Sequence, residues 1–102
     1  MRPSNYLLCA LSLVYPLAAA KDYTCTINTH GLASEVDCRE EADTTSNVVK
    51  EFYESNPVEV VCKKTVDTGS WTAVYYRAVE DCYFGYGWTA GCDPNKIPEC
   101  SG

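Results

Sequence analysis

Six cysteines, one histidine and a late run of aromatic side chains are the residues of this chain that could do chemistry. The cysteines are Cys25, Cys38, Cys62, Cys82, Cys92 and Cys100, with a seventh, Cys9, in an apolar stretch near the start. Thiols can close disulfides, hold zinc or act as nucleophiles. The spacings of 13, 24, 20, 10 and 8 residues contain no C-x-x-C, and His30 stands apart from any paired cysteines. Three disulfides are therefore expected, with no metal and no cofactor. Six cysteines allow many connectivities, and the spacing alone does not choose among them.

Acid–base chemistry has fewer candidates. His30 falls in Asn28-Thr29-His30-Gly31, a turn signature, and no other histidine exists to serve as an acid or a ligand. Glu59 and Arg77 lie on expected strands, where they read either as a residual base and phosphate binder or as a cross-strand ion pair or two solvated charges. Lys63-Lys64 reads either as a phosphate contact or as a charged strand edge. Trp71, Tyr75, Tyr76, Tyr83, Phe84, Tyr86 and Trp88 either fill a small core or form an exposed patch for bases, sugars or a protein partner. No catalytic residue is assigned.

The elements that must position these groups begin after a leader. Arg2, the 12-residue apolar run Tyr6 to Leu17 and the small residues Ala18-Ala19-Ala20 read as a secretory signal peptide spanning 1–20. That run is too short for a membrane helix, which needs about 20 apolar residues, and no second one follows. A single exported domain, 21–102, remains, and it loses Cys9 with the leader, which leaves an even cysteine count. It carries seven basic and fourteen acidic side chains, a net charge of −7. Nucleic-acid affinity comes largely from Lys and Arg on phosphates, so RNA binding is disfavoured, as is docking on an anionic membrane. A domain of this size buries a marginal core, and disulfides offset that. A monomer is expected.

Tyr23 to Thr29 alternates as a strand, and Leu32 to Val36 reads as its hairpin partner. Asp37-Cys38-Arg39-Glu40 has the spacing of a capped helix start, with Ala42, Thr45, Val49, Phe52 and Tyr53 on a buried face and Asn56-Pro57 as the stop. Val58 to Lys64, Trp71 to Val79 and Cys82 to Trp88 read as strands, Trp71 to Val79 being central. Thr68-Gly69-Ser70 and Glu80-Asp81 are turns, and loop follows from Gly91. The order implies an α+β domain, one helix packed on an antiparallel sheet.

With a leader, then Tyr23-Thr24-Cys25, one helix, several strands and a terminal Cys100, the chain resembles the RNase-like (RALPH-type) secreted effectors of powdery mildew that carry a Y/F/W-x-C motif. Their fold is similar to that of fungal guanyl-specific ribonucleases of the T1/F1/N1 type. The resemblance implies that Cys25 pairs with Cys100, which would close a loop of about 75 residues worth up to about 4.5 kcal/mol, while the pairing of Cys38, Cys62, Cys82 and Cys92 stays open. It also implies a fungal effector that binds host proteins, RNA less so, and that an intracellular plant immune receptor can recognise. Those enzymes place a catalytic histidine late in the chain, and no residue between Trp71 and Gly102 is a histidine. The expected function is thus a catalytically inactive effector. An active secreted ribonuclease and a secreted disulfide-rich toxin or protease inhibitor are the alternatives.

Overall fold

β-branched and aromatic residues alternate along several segments of residues 23–101, and the regular structure of the computed structural model is correspondingly nearly all antiparallel strand. The structure describes residues 23–101. The expected leader at 1–20, with Lys21 and Asp22, lies outside the described residues. Seven strands, β1 (Tyr23–Ile27), β2 (Glu35–Arg39), β3 (Val48–Tyr53), β4 (Pro57–Asp67), β5 (Thr72–Ala78), β6 (Cys82–Gly85) and β7 (Thr89–Ala90), form one sheet. Their order is β3-β2-β6-β5-β4-β1-β7, every neighbouring pair is antiparallel, and the sheet curls into a half-barrel.

The expected helix on a sheet is corrected by this architecture. Among the described residues the helical turns are two short 3-10 turns, Tyr86–Trp88 and Pro94–Lys96. The segment read as a helix is the hairpin β2–β3. Glu35-Val36-Asp37-Cys38-Arg39 alternates, with Val36 and Cys38 buried, and Val36 sits opposite Phe52 across the ladder. Asp43 organises the loop between the strands by accepting the amides of Thr45 and Ser46 at 3.1 and 2.8 Å. These local bonds compete with a helical turn. Of the supposed buried face only Phe52 is buried, while Val49 and Tyr53 are exposed. The 3–4 spacing runs through the bent loop at residues 41–46 and into β3, whose opening pair Val48-Val49 is β-branched and favours the extended state.

Two other expectations change. β2 does not return against β1, because β1 lies between β4 and β7. The strand from Cys82 ends at Gly85, and Tyr86–Trp88 turns away. The turn at His30-Gly31 is as expected, with both residues at positive φ (56° and 74°), and β5 is the central strand.

The curl is held by a crossing. The turn after β3 bonds the end of β1: Ile27 N–H donates to Asn56 O at 2.8 Å, Ser55 N–H donates to Ile27 O at 2.9 Å, and Glu54 accepts from the Thr29 amide and hydroxyl at 2.8 Å each. Inside lie Ile27, Val58, Val60, Tyr76, Ala78, Phe84, Val36 and Phe52, closed from the tail by Ile97. Phe84 sits edge-on to both Phe52 and Tyr76, at 5.6 and 6.1 Å between ring centres.

The disulfides are Cys25–Cys92, Cys38–Cys82 and Cys62–Cys100. The pairing Cys25–Cys100 implied by the resemblance is not formed. Ladder registers explain why. Thr26 pairs with Ala90, which brings Cys92 beside Cys25. The tail lies along β4 instead, with Lys63 N–H donating to Pro98 O and Cys100 N–H donating to Lys63 O, both at 2.8 Å, so Cys100 meets Cys62. Three disulfides in so small a domain fit a secreted protein. No helix of the described residues is long and apolar enough to cross a membrane.

Candidate binding groove

Alternation along β2 sends Val36 and Cys38 into the core and Glu35, Asp37 and Arg39 to the opposite face. Across the sheet β2 meets β6 at a single register pair, Arg39 with Tyr83, whereas β6 and β5 share four. Beyond that pair the two strands part. A groove of about 440 Å³ opens along the seam. Its lining includes the carboxylates of Glu35, Asp37 and Asp43 and the rings of Trp71, Tyr75, Tyr83, Tyr86 and Trp88. The volume is in the range of small-ligand sites, roughly 300–1,000 Å³.

The electrostatics are lopsided. Asp37 lies directly opposite Glu51 in the β2–β3 ladder, and carboxylate oxygens of Glu35, Asp37 and Glu51 fall within 4.8 Å of one another. The hydrogen bond to Glu51, and then the field of that carboxylate, push the Glu35 carboxyl above its usual range. Arg39 is the one cation among the lining residues. It reaches Asp37 at 3.3 Å, while its other terminal nitrogen donates to Ser46 O at 2.7 Å, so its guanidinium braces the β2–β3 loop. Asp43 is held below the carboxylate range by the Ser46 amide that it accepts.

The aromatic set divides. Tyr76 and Phe84 are core. Trp71 is 64% exposed and Tyr86 44%, and Tyr75, Tyr83 and Trp88 are half-buried. His30 contacts two of the lining residues. Its Nε2 donates to Gly87 O at 2.8 Å and its ring lies 6.2 Å from Trp88, so the histidine ties the first turn to the 3-10 turn. Glu59 and Arg77 do not pair: Glu59 accepts from the Thr24 hydroxyl at 2.8 Å, and Arg77 bonds Asp81 at 2.7 Å. His30, Glu59 and Arg77 thus have separate partners. Lys63 donates to Pro94 O at 2.7 Å and holds the tail, and Lys64 stands 5.7 Å from the centre of the Tyr83 ring. Tyr23 of the Tyr-x-Cys motif packs half-buried against the core.

The acidic half of the groove went unrecognised in the sequence because Asp37 passes for a helix cap. Its signal was present: charges at Glu35, Asp37 and Arg39 alternate with apolar Val36 and Cys38. Comparison with protein-family models, with curated proteins and with solved structures finds no match for this chain.

Proposed function

We propose that this chain is an exported, disulfide-rich binding protein that acts without catalysis by holding a protein of a host. The groove carries this reading. It gathers five exposed or half-buried aromatic side chains, besides buried Phe84, on a sheet tied by three disulfides, and aromatic anchors on rigid elements are what protein-binding surfaces use. The separate partners of His30, Glu59 and Arg77 support a non-enzymatic role, since acid and base must reach one substrate. The leader-like start and Tyr23-Thr24-Cys25 support the setting, a fungal effector in a plant, whose surface an intracellular immune receptor could read. The ribonuclease-like scaffold is not part of the proposal, because the single helix is absent from the described residues. Acidic charge argues against RNA as the partner.

The test is chemical cross-linking of the folded, secreted protein in host-plant extract, beside Trp71→Ala. The expected result is a discrete cross-linked protein with the native chain that fades with the variant. Turnover of a fluorogenic RNA substrate, or an adduct indifferent to the groove, would overturn the reading.

A further inference from the structure

We propose that the groove is a receptor for a basic segment of the partner protein, with an arginine or lysine side chain laid between the carboxylates of Glu35 and Asp37 and the rings of Trp71 and Tyr86. This rests on the binding role proposed above and specifies its partner.

Charge complementarity is the first argument. Asp37 faces Glu51 directly across the ladder, and carboxylate oxygens of Glu35, Asp37 and Glu51 lie within 4.8 Å of one another. Like charges opposed in this way destabilise an antiparallel pair. A cation entering from outside removes that repulsion, so the complex regains what the free sheet loses. Arg39 does not serve this purpose for Glu35, because its guanidinium is taken by Asp37 and Ser46 O.

The rings are the second argument. Guanidinium and ammonium groups are attracted to aromatic faces within about 6 Å. The sheet already uses the contact twice, with Lys64 5.7 Å from Tyr83 and Lys50 5.5 Å from Phe52. Trp71 and Tyr86 are the most open rings of the groove and sit in the same lining as Glu35 and Asp37. Lys64 stands over Tyr83, and Tyr75 and Trp88 are half-buried, so Trp71 and Tyr86 are the rings most open to an incoming cation.

Other ligands fit less well. A neutral sugar would stack on the rings and leave the carboxylate repulsion in place. A nucleic acid would add phosphates to an acidic surface. An extended peptide also suits the seam, where β2 and β6 part after Arg39 and Tyr83.

The experiment uses the folded full chain as secreted, and a fluorescein-labelled decapeptide alternating arginine and serine, beside the same peptide with glutamine for each arginine. Anisotropy at low salt is expected to show the arginine peptide binding at least about tenfold tighter, a preference that shrinks as salt screens the exposed charges. Glu35→Gln combined with Asp37→Asn is expected to weaken the arginine peptide about tenfold, and Trp71→Ala about threefold, with circular dichroism and the thiol count unchanged. Equal binding of the two peptides, or of the variants and the native chain, would overturn the inference. The cross-linking assay separates the two levels. An adduct lost in Trp71→Ala but kept in the carboxylate variant leaves the binding role standing and removes the basic segment. An adduct kept in both removes both.

Discussion

The two halves of the sheet are held together in different ways. β1, β4 and β5 are joined by long ladders, seven register pairs between β4 and β5 and four between β1 and β4. Cys25–Cys92 and Cys62–Cys100 pin the C-terminal segment onto that half. The β2–β3 hairpin meets the rest of the sheet at one backbone pair, Arg39 with Tyr83. It is kept in place by Cys38–Cys82, by Phe52 against Phe84, and at its far end by the bonds of Glu54, Ser55 and Asn56 to β1. The same hairpin supplies every carboxylate of the groove. Where ladder bonding is thin, a covalent bond and one aromatic contact hold the hairpin, and the seam stays open as a groove.

Removing the covalent bond gives the largest effect. Cys38→Ser with Cys82→Ser opens a loop of 44 residues, worth about 4 kcal/mol in chain entropy. By loop length alone Cys25–Cys92, at 67 residues, should matter slightly more. For the groove the order reverses, because Cys38–Cys82 backs the single register pair between β2 and β6. Amide exchange should show β2 and β3 losing protection while β4 and β5 keep it. Uniform loss across all seven strands would mean the halves are one cooperative unit. Phe52→Ala comes next. Phe52 is 3% exposed and is the only buried side chain of β3, so truncation should cost about 3–4 kcal/mol in urea unfolding. A cost below about 1 kcal/mol would show that the hairpin docks without it.

The better-laddered half was also the more legible in the sequence. Val58 to Lys64 and Trp71 to Val79 have β-branched and aromatic alternation with clear turns at Thr68-Gly69-Ser70 and Glu80-Asp81, and they became β4 and β5 with small shifts at their ends. The hairpin half misleads. Asp37 and Glu40 fit a capping box, and Ala42, Thr45, Val49 and Phe52 fit a helical face, so two weak local signals agreed on the wrong period. What decided otherwise was non-local: Val36 against Phe52, and Cys38 within reach of Cys82. The disulfides were legible in number and illegible in pairing, because pairing depends on strand order. β7 beside β1 sends Cys92 to Cys25, and two residues of β7 leave little trace in a sequence. Of the groove, the aromatic half was visible and its acidic half was not.

A smaller effect probes the groove wall. Glu35 has its carboxyl raised above the usual 4.5 by the hydrogen bond and field of Glu51. An acid raised in the folded state holds its proton more tightly there than in the unfolded chain. Folding is therefore penalised as pH rises through the raised value, and the penalty is absent below 4.5, where both states are protonated. Glu35→Gln removes the ionisable group. Its melting temperature should exceed that of the native chain near neutrality, and the two curves should converge in acid. A constant offset at all pH values would mean that packing, and not charge, sets the difference.

The smallest effect concerns an ion pair that reaches from one half to the other. Lys50 on β3 bonds Glu80, in the turn between β5 and β6, at 3.1 Å. Lys50 also stands over the Phe52 ring. Both charged groups are substantially exposed, so solvent and salt screen them, and such pairs give about 0.2–1 kcal/mol. Lys50→Gln should lower stability by less than about 1 kcal/mol at low salt, and the difference should fade at about 1 M salt, where the screening length is about 3 Å. A loss that persists in high salt would come from the stem of Lys50 packing on Phe52. The hairpin would then be anchored at Phe52 by both Phe84 and the Lys50 stem, and its single backbone pair with β6 would add little to its hold.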